Sequence, residues 1–192
     1  MGLMIRLISE KLRMPKSAYL LCPILTFEVQ GWMSEQDQTL IRTQMDPEEQ
    51  IKNGLILQEE LESIRISGVH VTSRLRYFND LIIPPEYLLG MGLMYLKDYK
   101  GHDPKNDVYL SPLLADDEYL KLLPKIYLQV GKHDPLCDDS ILLYAKLKSL
   151  GRGTDSLHIL PGMSHGYLQM LALVPEARIA VDELCKDIKI NA

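Results

Sequence analysis

This sequence predicts an α/β fold of parallel strands with flanking helices, and its clearest support lies between Lys125 and Tyr167. Two apolar runs, Lys125–Val130 and Ser156–Leu160, are too short for helices and are followed by Gly131 and Pro161, the pattern of buried strands. Between them, Asp138-Asp139-Ser140 leads into Ile141, Leu142, Tyr144, Ala145, Leu147 and Leu150, with Gly151 after them. That is an amphipathic helix with Asp138 and Asp139 as its N-capping residues. Strand, helix and strand in this order make a βαβ unit, so the two strands run parallel.

Taken from the start, Leu3, Met4, Leu7, Ile8 and Leu12 recur at helical spacing, and Pro15 closes the segment. Ser17–Cys22 (SAYLLC) reads as a third buried strand ending at Pro23. Over 28–72 the sequence turns polar. Asp46-Pro47-Glu48-Glu49 is a helix start, and Ile51, Leu55, Leu61 and Ile64 form one loose apolar face. This predicts a helical excursion with a solvated outer face. Pro84-Pro85 opens a further helix with Leu88, Met91, Tyr95 and Tyr99 on one side, and the Met-rich string within it reads as core rather than as an acyl pocket. After a polar link at Lys100–Val108, the final helix opens at Pro175-Glu176, with Ala177, Val181, Leu184 and Ile188 as its inner face.

The whole chain of 192 residues is read as one domain. Its net charge of −5 and lack of a basic run argue against nucleic acid as a partner. Three widely spaced cysteines, Cys22, Cys137 and Cys185, carry no CxxC or metal spacing and read as reduced thiols of a cytosolic protein. The start MGLMIRLISEK has Arg6 inside its apolar part and no small-residue cleavage site, which speaks against a signal peptide. Leu157–Pro175 lacks Asp, Glu, Lys and Arg, but Pro161, Gly162 and Gly166 interrupt it, so no transmembrane segment is expected. Peripheral contact with a lipid surface is left open.

In parallel sheets the chemistry sits just beyond the carboxyl ends of the strands. Beyond the first strand comes Gly131-Lys132-His133-Asp134-Pro135, and beyond the second Met163-Ser164-His165-Gly166. Asp134 and His165 thus project from neighbouring strand ends, as the acid and base of a catalytic triad do. Each has a bland alternative: Asp-Pro is a common turn starter, and His165 fits a structural histidine near a helix start. Gly162-Met163-Ser164-His165-Gly166 matches G-x-S-x-G, yet a true elbow has its acid and His downstream. Here Asp134 lies upstream and no His follows His165, so Ser164 reads as a decoy. His133 and His158 read as bystanders. His102-Asp103 with Asp107 lacks ligand spacing, so neither metal nor cofactor is expected.

SPLLA (Ser111–Ala115), Leu123-Pro124, G-x-x-D-P-L-x-D (Gly131–Asp138), YAKLKSLG (Tyr144–Gly151) and G-M-x-H-G-Y (Gly162–Tyr167) together resemble the hormone-sensitive lipase family of α/β-hydrolases. The resemblance covers Leu3–Thr26 weakly and Ser73 onward well. It implies that Asp134 is the triad acid and His165 the general base of a carboxylic ester hydrolase. It also implies that the first helix follows the nucleophile elbow, so the sequence would hold the C-terminal portion of the fold with an incomplete sheet. No Gly-Gly pair for an oxyanion loop occurs in the chain. Acylglycerols, sterol esters or short acyl esters are the substrates implied, and the chain alone is expected to be inactive. From another class of function, a catalytically dead remnant acting as a binding module is the alternative; survival of both acid and base in full motif context argues for the enzyme.

Overall fold

A computed structural model describes residues 1–26, 73, 77, 80, 82, 83, 91, 94–96 and 107–191. The excursion expected over 28–72 lies outside the described residues, as do His102, Asp103 and most of the helix expected from Pro84. Of that helix, Met91 packs beside Ile83 and Leu136, whereas Met94 and Tyr95 are exposed, so the core role expected of the stripe does not extend to them.

In chain order the elements are α1 (Gly2–Ser9), β1 (Ser17–Leu21), a 3₁₀ turn at Pro112–Leu114, α2 (Asp117–Lys121), β2 (Lys125–Gly131), α3 (Cys137–Ser149), β3 (Ser156–Leu160), a 3₁₀ turn at Tyr167–Met170, and α4 (Pro175–Asn191). The three strands form a parallel sheet in the order β1-β2-β3, with Ser17 opposite Lys125 and Tyr127 opposite Ser156. The expected parallel pairing of the Lys125 and Ser156 strands, with the Ser17 strand beside the first, is therefore present.

Strand alternation sorts the side chains into two layers. Ile126 and Leu128 join Leu143 and Leu147 of α3, Met4 and Ile5 of α1 and Leu120 of α2 in the main core. On the opposite face, Gln129 Nε2 donates to the Ala180 carbonyl at 3.4 Å and Tyr19 Oη to the Asp187 carbonyl at 3.2 Å, which seats α4. Tyr19 and Tyr127 stack on that face with ring centroids 4.5 Å apart.

Three expectations change in detail. β2 is buried almost throughout, but His158 and Ile159 of β3 are exposed; among the described residues β3 has a strand neighbour on one side alone, so it reads as an edge. α3 begins at Cys137, and its N-cap is Leu136 without a side-chain cap bond. Asp138 and Asp139 stand in its first turn and reach outward instead: Asp138 accepts the Ser73 N–H at 2.8 Å and Asp139 the Leu25 N–H at 2.9 Å. Acids here still suit the helix dipole. In the terminal helices, α1 buries Met4 and Ile5 while Leu3 and Leu12 are exposed, and α4 buries Ala177 and Ala180 while Ile188 is exposed.

At the amino ends of the strands, Arg152 closes a network. Its guanidinium donates to both Asp155 carboxylate oxygens at 2.7 and 2.8 Å and to the carbonyls of Leu123 and Pro124 at 2.7 and 2.6 Å. Asp155 in turn accepts the Ile126 N–H at 2.8 Å. One fork thus ties the entry of β2 to that of β3, away from the loops that carry Asp134 and His165. Asp155→Ala strands a buried N–H and a nearly buried guanidinium, so it is expected to lower stability by about 3–5 kcal/mol in chemical denaturation. A loss below about 1 kcal/mol, the level of a surface pair, would show that the network does not fix the strand entries.

Candidate active site

β2 ends at Gly131, and there the chain passes directly under the loop that follows β3. A Cβ on Gly131 would sit 2.4 Å from the Met163 carbonyl oxygen, so glycine is the residue that permits the crossing. Lys132 N–H donates to the Leu160 carbonyl and His133 N–H to the Met163 carbonyl, each at 2.9 Å. These bonds lash the two strand-end loops together.

Asp134 follows at once and is fully buried. Its Oδ1 accepts the Leu136 N–H at 2.8 Å, an Asx turn that aims the carboxylate. Its Oδ2 lies 3.0 Å from His165 Nδ1. The imidazole is 21% exposed, so it meets solvent on one side and the carboxylate on the other. Gly166, next to it, has φ +69°, a left-handed turn glycine adopts without strain. Tyr167 then plunges into the core, where its hydroxyl donates to Gln129 Oε1 at 2.6 Å. Burial pushes the Tyr167 phenol up, with Cys22 and the Asp134 carboxylate adding to the shift. The histidine loop is therefore held on both sides, by Met163 and Tyr167 packed with Ala177 and Ala180.

The two residues expected as acid and base are thus in contact. Ser164 is not part of that contact: its hydroxyl donates weakly to the His165 carbonyl, at 3.4 Å. His133 packs beside the Tyr77 ring, and His158 lies on β3 away from the pair.

Sequence reasoning missed one neighbour. Cys22 stands just past β1 with φ +45°, and donor atoms of Cys22, Asp134 and His165 all lie within 4.8 Å of one another. Burial pushes the Cys22 thiol well up, and the Asp134 carboxylate, to which it donates a hydrogen bond, pushes it further. Cys22 occupies the same place at its strand end that Asp134 and His165 occupy at theirs, but it comes near them only through the pairing of β1 with β2, which no local pattern records.

A model of the alpha/beta hydrolase fold matches residues 69–169. Hormone-sensitive lipase of Mus musculus is 34% identical over 93 residues, which is 48% of this chain and 12% of that protein. A versiconal hemiacetal acetate esterase of Dothistroma septosporum is 40% identical over 90 residues, 47% of this chain and 26% of that protein. The solved structure of carboxyl esterase 2 from the fungus Tuber melanosporum superposes with a TM-score of 0.67 at 15% identity, over 99% of this chain and 49% of that one. That identity speaks to the fold alone. The chain spans about half of that structure, and its match takes in far less of the curated relatives.

Two outcomes are expected. Tyr167→Phe leaves Gln129 Oε1 buried without its donor and costs about 1–3 kcal/mol. Adding Gln129→Leu returns part of that loss, so the double variant is less destabilised than the sum of the single ones; strict additivity would mean that the bond does not couple the loop to β2. The second concerns thiols. Burial, with the Asp138 and Asp134 charges, raises the Cys137 thiol to about 11, so its thiolate at pH 8 is on the order of a thousandth of the population. Iodoacetamide at pH 8 should label exposed Cys185 first and Cys137 at least tenfold more slowly, read by peptide mass spectrometry. Equal rates would refute the burial described for Cys137.

Proposed function

Because the chain belongs to the α/β-hydrolase fold family, in its hormone-sensitive lipase branch, we propose that Asp134 and His165 are the acid and general base of a Ser-His-Asp triad that hydrolyses carboxylic esters. The observation that carries this reading is the 3.0 Å contact between His165 Nδ1 and the buried Asp134 carboxylate, at the ends of adjacent parallel strands. A turn-starting Asp or a structural His alone does not call for that partner.

The chemistry follows from the contact. With Nδ1–H donating to Asp134, the lone pair of the neutral ring sits on Nε2. That nitrogen takes the proton of an attacking serine hydroxyl and later returns it to the departing alcohol. The carboxylate stays ionised, holds the ring in this tautomer and stabilises its cation. The nucleophile and the oxyanion donors come, in this reading, from a part of the fold outside this sequence, within the same single domain. Ser164 has no role in the attack, because its hydroxyl engages the His165 carbonyl instead of the ring.

The substrate is an ester with an apolar acyl group, in lipid or acyl-ester catabolism. The relatives bracket its size: one is named as a lipase and the other as an acetate esterase. Apolar pockets separate one methylene from the next by only about 1–3 kcal/mol, so neighbouring chain lengths are expected to be accepted. No described helix is long and apolar enough to cross a membrane, and the three free thiols fit a reducing cytosol.

The isolated chain is expected to show no turnover of a short-chain p-nitrophenyl ester. Joined to the N-terminal half of a family esterase that carries the nucleophile, it should gain activity. Asp134→Asn should then cost roughly 10⁴ in turnover, the size of the corresponding change in the serine-protease template. His165→Ala should cost at least as much, while Ser164→Ala should leave most activity in place. Activity of the isolated chain that disappears with Ser164→Ala would make Ser164 the nucleophile and overturn the assignment.

A further inference from the structure

The acid–base pair has a third polar neighbour that ester hydrolysis does not use. We propose that Cys22, Asp134 and His165 together form a binding site for a thiophilic divalent cation of the Zn²⁺ class. Each residue offers one donor atom, a sulfur, a carboxylate oxygen and a ring nitrogen, and the three lie within 4.8 Å of one another. A tetrahedral zinc with bonds of 2.0–2.3 Å needs ligand-to-ligand edges of about 3.3–3.6 Å. His165 Nδ1 and Asp134 Oδ2 stand at 3.0 Å, so a cation between them asks for a few tenths of an ångström of opening, and the sulfur closes in by up to about 1 Å.

The donor geometry, not a preformed thiolate, is what suits a bound metal. Burial and the Asp134 carboxylate keep the Cys22 thiol neutral in the absence of a cation, with the Gly131 and Gly166 backbones opposing them only in part, so the bound cation itself supplies the charge that draws off the thiol proton. Asp134 Oδ1 keeps its bond from the Leu136 N–H, so Oδ2 remains the oxygen turned toward the metal. The imidazole supplies the way in, because the ring is 21% exposed while the carboxylate is fully covered. Three protein ligands with a fourth position open to water is a recurrent zinc arrangement. No sequence spacing marks the site, because each ligand comes from the end of a different strand.

Protons balance simply. The Cys22 thiol releases its proton to solvent. The Nδ1 proton is exchanged through solvent for one on Nε2, so the ring stays neutral while Nδ1 binds the cation. Net release is one proton per metal ion. Binding depends on this geometry alone. Its consequence rests on the triad reading: with Nδ1 and Oδ2 on the metal, and Nε2 carrying the proton, the base has no lone pair left, and zinc would hold the hydrolase inactive until chelated.

Titration of the full 192-residue chain with Co²⁺ under anaerobic, phosphine-reduced conditions tests the site. One equivalent should give a thiolate-to-cobalt charge-transfer band in the near ultraviolet with intense visible bands of a tetrahedral ion, and Zn²⁺ should bleach both. The Cys137→Ser/Cys185→Ser double variant, whose sole thiol is Cys22, should keep the full signal. Cys22→Ser should lose the charge-transfer band, and His165→Gln should weaken binding by about tenfold or more. Loss of the band in the double variant, or its survival in Cys22→Ser, overturns the proposal. Should Cys22→Ser fail to fold by circular dichroism, the double variant still decides. All of this is read without turnover, so failure here leaves the esterase reading standing, and failure of the esterase assay leaves the binding result standing.

Discussion

A carboxylate sealed from water governs the arrangement at the carboxyl end of the sheet. Asp134 has no exposed side-chain surface, and an ion in that position is costly unless every lone pair is met. The fold meets them from three directions: the Leu136 N–H from its own turn, the His165 ring from the loop after β3, and the Cys22 thiol from the end of β1. Each of the three strands thus sends one group to the same anion. The sheet order β1-β2-β3 is what lets this happen, since it sets the acid on the middle strand with a partner to either side.

Gly131 and Tyr167 show how the backbone accommodates that convergence. The Met163 carbonyl occupies the space a side chain at 131 would need, so the two loops approach as closely as backbones can. Tyr167 adds a hydrogen bond from the histidine loop to Gln129. This joins the loop to the strand whose end carries the acid. Carboxylate and imidazole are referred to a common support, and small displacements of the outer helices need not change their separation. Such support keeps the 3.0 Å contact between His165 and Asp134 in place, as the proposed proton transfer requires.

Much of this was legible from sequence. Lys125–Val130 and Ser156–Leu160 are legible because short apolar runs ending in Gly or Pro have few other solutions, and the placement of Asp134 and His165 at neighbouring strand ends follows from their positions just after those runs. What was not legible depended on tertiary partners. Asp138 and Asp139 looked like caps because local spacing favours that reading, yet the Ser73 and Leu25 amides draw them away. Ser156–Leu160 reads as a buried strand, but its position at the side of the sheet among the described residues leaves His158 and Ile159 exposed. Cys22 passed as one thiol among three. Its proximity to the pair arises from the pairing of strands more than a hundred residues apart in the chain, such as Tyr19 with Tyr127, and no local pattern records that.

Asp134 and His165 do not hang from equally secure supports. Asp134 follows β2, which is hydrogen-bonded on both sides and buried almost throughout. His165 follows β3, whose outer residues meet water and whose loop is covered by an α4 that buries little beyond Ala177 and Ala180. Opening free energies within one domain follow such differences in burial and pairing. Excursions that lift α4 would release the imidazole while the carboxylate stays seated, and backbone amides of β2 would exchange with solvent later than those of the histidine loop. Opening of the pair from the imidazole side is what this asymmetry of support predicts.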